Sequence, residues 1–175
     1  MHGWADMTKR IFALLVGGAL AACSGYDNGQ ATDPTNSIAA GQITIALPKT
    51  VYTTTELNPS SGPGVRATLG NTADQAFYSR LGDAFNGALD QNPLFVANGS
   101  DASLEREQGS DWVAVTGAVL IEGVKVVSLQ PGKSYDLIAQ TSAATAGRYR
   151  IVVAYRNSAT AEPTQRAVSA TFEVR

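Results

Sequence analysis

The chain has 175 residues, with 13 Lys and Arg against 15 Asp and Glu, a formal net charge of −2 and a single cysteine. One cysteine excludes a disulfide framework and a cysteine-based zinc site. The near balance of charge, with no basic stripe along any segment, argues against nucleic acid as a partner.

In chain order, the first element is Lys9-Arg10, then an apolar run over residues 11–20, then Ala21-Ala22-Cys23. Basic residues, a short apolar core and small residues before a cleavage point make a secretory signal. The run is about half of the ~20 apolar residues that a spanning helix needs, and no later segment approaches that length. Leu20-Ala21-Ala22-Cys23 resembles the lipobox of bacterial lipoproteins. That resemblance implies cleavage before Cys23, a diacylglyceryl thioether on its sulfur and often an N-acyl chain. It places the protein in the bacterial cell envelope, where more than one chain is needed for a lasting hold. Ser24, in the same family's sorting rule for Gram-negative envelopes, favours the outer membrane, facing the periplasm or the cell surface. The competing account is a cleaved, unanchored secretory protein in which Cys23 is incidental. Translation starts at Met1 or at Met7, and the sole histidine, His2, lies ahead of Met7.

Residues 1–22 are therefore the expected signal peptide, and 23–41 the expected tether. The tether is polar, rich in turn formers and without periodicity. Its reach is about 20–25 Å for a flexible chain of that length. Residues 42–175 are expected to form one domain of ordinary size.

Within that domain Ile43, Ile45 and Leu47 alternate with polar or small neighbours, the period of a strand. Pro48 ends the run. Residues 51–57 read as a second extended stretch, rich in the β-branched residues that suit a pleated surface. A loop over 58–64 leads to a strand at Val65, Ala67 and Leu69, and another spans 75–81. Residues 82–101 form a longer insert. Phe85 and Leu89, four apart, are spaced to share a helical face, so one or two helical turns are expected there. Residues 103–107 and 112–115 pair as a hairpin around Gln108-Gly109-Ser110-Asp111. A strand over 118–122 is expected to break at Gly123, and the next runs from Val124 to Leu129. Gln130-Pro131-Gly132-Lys133 turns the chain into Tyr135, Leu137 and Ala139. Tyr149, Ile151, Val153 and Tyr155 alternate over the longest clean run. Val168, Ala170, Phe172 and Val174 close the chain. The fold class is all-β, a sandwich of eight to ten short strands.

Three segments together resemble bacterial immunoglobulin-like envelope domains. They are Leu47-Pro48-Lys49-Thr50-Val51-Tyr52, Leu104-Glu105-Arg106-Glu107 before Trp112, and Leu129-Gln130-Pro131-Gly132-Lys133-Ser134-Tyr135 followed by Gly147-Arg148-Tyr149-Arg150. The resemblance implies an antiparallel β-sandwich over 42–175. It also implies that Trp112 is the large core aromatic and that Tyr149 is a tyrosine corner bonded to upstream backbone. It implies no activity, because this architecture carries many functions.

The residues offer little catalytic chemistry. A serine or cysteine nucleophile normally needs a histidine base, and none follows His2. Lys49, Lys125 and Lys133 sit beside turns or on strands and read as solvated. Glu105 and Glu107 share one side of a strand with Arg106 opposite, a pattern more typical of a guarded edge than of a glycosidase pair. Asp90-Gln91-Asn92 and Asn98-Gly99-Ser100-Asp101 carry oxygen ligands suited to calcium, but their spacing matches no EF-hand. No cofactor is expected beyond the lipid on Cys23, and the protein is expected not to be an enzyme. Arg148 and Arg150 face outward and offer cations to an anionic glycan or a protein. The favoured binding surface is the 82–101 insert, where Phe85, Leu89, Leu94 and Phe95 supply apolar area for a protein or glycan partner. The same four residues would alternatively plug the open end of the sandwich. A second function is a periplasmic protease inhibitor that inserts Asn92-Pro93-Leu94-Phe95 into a cleft.

Overall fold

In the computed structural model, the structure describes residues 42–84, 94–97, 101–117 and 121–175. The signal, the tether, Cys23, Phe85 and Leu89 lie outside the described residues. So do the calcium candidates Asp90 to Asn92 and Asn98 to Ser100.

Two six-stranded sheets pack face to face. The first runs in the order β1 (Ile43–Ala46), β3 (Val65–Asn71), β9 (Ser134–Ala139), β5 (Leu94–Val96), β4 (Phe77–Ala84), β8 (Ile121–Leu129). The second runs β2 (Val51–Tyr52), β12 (Phe172–Val174), β10 (Gly147–Tyr155), β6 (Ala102–Gln108), β7 (Asp111–Ala114), with β11 (Gln165–Val168) also paired to β10. The all-β sandwich is thus as the alternation patterns predict. Its sheets are mixed rather than purely antiparallel: β5 runs parallel to β9, and β2 parallel to β12.

The inward residues of both sheets make one core. Tyr149, Ile151, Val153 and Tyr155 are all buried, as their alternation predicts. Phe77 of the first sheet meets Tyr155 of the second edge-on, with ring centroids 5.1 Å apart. Phe172 packs between Tyr52 and Tyr149 at 5.2 and 5.9 Å. Such pairs add about 0.5–1.5 kcal/mol beyond area burial. The sheets are joined at one corner, where Tyr78 and Arg156 exchange two backbone hydrogen bonds of 2.9 Å.

Several expectations are corrected. Residues 51–57 are not one extended stretch: after two strand residues the chain forms a helical turn, α1 (Thr54–Leu57). Thr53 caps it by accepting from the Glu56 N–H at 3.2 Å, while the Thr53 N–H donates to the Glu56 carboxylate at 2.7 Å. This reciprocal box outweighs the local strand propensity and drives Leu57 into the core. The 82–101 insert supplies strand at both ends: β4 continues through Gly82 to Ala84, and β5 follows from Leu94. Gly123 does not break β8; the register with β4 shifts there, so that Asp83 faces Gly123 and Ala84 faces Ile121. The extra residue is Glu122, and the bulge it makes leaves Gly123 paired within the strand.

The C-terminal run is also two strands, not one. Ser169 splits it: its hydroxyl accepts from the Ile151 N–H at 2.9 Å and donates to the Ala170 carbonyl at 2.8 Å. The irregularity flips the parity, so Ala167 faces inward and Val168 is 40% exposed. Trp112 is not a core aromatic. It is partly exposed on the edge strand β7, in register with Glu107. Tyr149 behaves as expected, its hydroxyl donating to the Thr145 carbonyl at 2.7 Å.

Candidate functional site

Of the four residues predicted as a binding surface, only the Phe95 side chain is among those described. Phe95 is 1% exposed and belongs to the core, beside Tyr135 at 6.3 Å and beneath the Lys125 ammonium at 5.7 Å. It is corrected from a surface anchor to a packing residue, because β5 is inserted between β4 and β9 and turns Phe95 inward. Leu94 occupies the register position beside Asp136 of β9. Phe85 and Leu89 are outside the described residues.

The acidic and basic candidates are mutually engaged. Lys49 binds Glu56, and Lys125 binds Asp83, each at 2.5 Å. Glu105 and Glu107 lie on β6, which is internal between β10 and β7 rather than an edge. Glu105 accepts from Arg150 at 2.7 Å and Arg166 at 2.8 Å, and Glu107 pairs with Arg148 at 2.9 Å. The Arg150 guanidinium also lies over the Trp112 ring, 4.4 Å from its centroid. The outward arginines therefore form a ladder of ion pairs across the second sheet, each weak where exposed. Among the described residues no group of three His, Cys, Asp or Glu side chains gathers to hold a metal.

A second cluster was not anticipated. Asp101, where the chain passes from β5 to β6, is fixed by both sheets. Its N–H donates to the Arg80 carbonyl at 3.1 Å, and its carbonyl accepts from the Ala154 N–H at 2.7 Å. Its carboxylate accepts from the Arg80 N–H at 2.6 Å and pairs with the Arg80 and Arg156 guanidinium groups. Arg156 is 3% exposed. Burial, and then the nearby Arg80 charge, push its guanidinium below its ordinary range. A buried ion pair of this kind holds a junction together and leaves no lone carboxylate for chemistry. Its members are distant in sequence, so no local motif announces it.

A further feature, among the described residues, is an open cleft of about 330 Å³ on the outer face of the first sheet. Ala46, Leu47, Pro48, Arg66, Ala67, Thr68, Asp136 and Leu137 line it. The register explains the assembly: Ala46 of β1 faces Thr68 of β3, which faces Asp136 of β9, and Arg66 lies one outward position along β3. Leu47 and Pro48 form a wall where the chain leaves β1. Neither Arg66 nor Asp136 was singled out by the sequence, because only the β3–β9 register brings them to one place. Compared with known proteins, the chain matches no family model, no curated protein and no solved structure.

Proposed function

We propose that the chain is a lipid-anchored protein of the bacterial cell envelope, non-enzymatic, whose β-sandwich domain is presented to a protein or glycan partner. The observation that carries the reading is Cys23, the sole cysteine, placed directly after Leu20-Ala21-Ala22 at the end of a short apolar run. Acylation at that thiol would attach residues 23–175 to a bilayer, most plainly the outer membrane given Ser24, with residues 24–41 as the tether. Among the described residues no helix is long and apolar enough to cross a membrane. The absence of histidine after His2, together with ion-paired rather than isolated acids on β6, supports a binding role over catalysis. An immunoglobulin-like identity belongs to the same proposal. The Tyr149 to Thr145 bond supports it, while the parallel pairs and the partly exposed edge position of Trp112 weigh against it. The test is labelling of the expressed chain with radioactive palmitate. Label is expected on the wild type and absent from Cys23→Ala; an unlabelled wild type, or an equally labelled variant, contradicts the anchor.

A further inference from the structure

We propose that the cleft between β1, β3 and β9 binds a small zwitterion, an amino acid or short peptide that carries both a free carboxylate and a free ammonium. This deepens the binding half of the proposed function and does not depend on acylation. Three observations carry it. Among the described arginines the side chain of Arg66 alone makes neither an ion pair nor a hydrogen bond; those of Arg80, Arg106, Arg148, Arg150, Arg156, Arg166 and Arg175 are all engaged. Asp136 lines the same cleft, is exposed, and makes no ion pair, with Arg66 or with any other described residue. The cleft's volume, about 330 Å³, lies at the lower end of the range for small-molecule sites, most of which are apolar with a few placed polar groups.

The charges select the ligand. A plain anion would meet Arg66 but be repelled by Asp136, and a plain cation the reverse, so each charge discriminates against half of the alternatives. A zwitterion satisfies both. The planar guanidinium of Arg66 suits a carboxylate bidentately, and the Asp136 carboxylate accepts from an ammonium. Thr68 stands between Ala46 and Asp136 in the cross-strand row and offers a hydroxyl to the peptide or amino-acid backbone. Ala46, Leu47 and Pro48 leave room for a small apolar side chain. No aromatic ring lines the cleft, so it lacks the stacking surface that sugar rings use.

The test is calorimetric titration of the full chain, solubilised in detergent at neutral pH, with L-alanyl-L-alanine. Two capped probes run beside it: N-acetyl-alanyl-alanine, without the ammonium, and alanyl-alanine amide, without the carboxylate. Saturable binding of the uncapped dipeptide is expected, with each capped form weaker by about tenfold or more, the worth of one charge-assisted hydrogen bond. Arg66→Gln is expected to lose the preference for the dipeptide over its amide. Asp136→Asn is expected to lose the preference over the acetylated form. Both side chains are exposed, and unchanged thermal melting of each variant shows that the fold is retained. No saturable binding of the dipeptide at millimolar concentration overturns the proposal, as do equal affinities for the three probes or preferences unmoved by the substitutions. None of these outcomes bears on whether Cys23 is acylated.

Discussion

Asp101 uses its amide, its carbonyl and its carboxylate at once, and all three hold the passage between the two sheets. Removing the carboxylate would leave Arg156 buried without its counter-charge. Breaking a buried pair from one side costs about 3–5 kcal/mol. Asp101→Asn is therefore expected to lower the urea-unfolding free energy by about that much; a loss below about 1 kcal/mol would show that Arg156 is compensated elsewhere. Glu56 makes a pH-dependent prediction at the same scale. The Lys49 side chain, and then the Thr53 amide, hold its carboxyl below the usual carboxylate range. A carboxyl depressed in the folded state stabilises the fold above its unfolded value near 4.3, and that support is lost as pH falls through the folded value. The α1 cap is thus expected to persist at neutral pH and to weaken only in acid. In an NMR titration the Glu56 carboxyl midpoint should lie below about 4.3, with the Thr53 amide shift following it; a midpoint at or above that value contradicts the cap.

Alternation made β1, β3 and β10 readable, and the turn over 108–111 made the β6–β7 hairpin readable; all form where those signals predict them. In the turn before β9, Gly132 takes φ +65 behind Pro131, and the Lys133 N–H donates to the Gln130 carbonyl at 3.2 Å. What failed to show was shorter or governed by tertiary partners. β5 has three residues, too few for a period, and α1 is a single turn disguised by β-branched residues. The division of β11 from β12 depends on Ser169 meeting Ile151 across the sheet, which no local pattern encodes. Ser169→Ala leaves the buried Ile151 N–H without an acceptor, and such an orphan costs about 1–3 kcal/mol. That loss should appear in urea unfolding together with faster hydrogen exchange at Ile151. Unchanged exchange would mean that the strand closes over the gap. The one long edge among these elements is β8, whose outward Val124 and Val126 are each 47% exposed. The bulge at Glu122 and the Lys125 side chain, tied to Asp83, are the usual devices against edge pairing.

At the scale of the whole molecule, the fold class was open to sequence reasoning and the candidate site was not. Arg66 and Asp136 are far apart along the chain and meet only because β3 and β9 pair in one register, so neither carries a motif. Phe95, which looked like surface apolar area in a long loop, is core because β5 completes the sheet. The anchor is the opposite case: its whole argument lies in residues 9–24, where residue type and order alone carry the chemistry. Acylation of Cys23 decides where the sandwich and its cleft are displayed. Mass spectrometry of the N-terminus of the protein purified from bacterial membranes tests it most directly. The account predicts a mature chain beginning at Cys23, heavier by a diacylglyceryl group with or without an N-linked acyl chain. A free Cys23 thiol, on a chain that begins at Met1, at Met7 or at any residue other than Cys23, would contradict it.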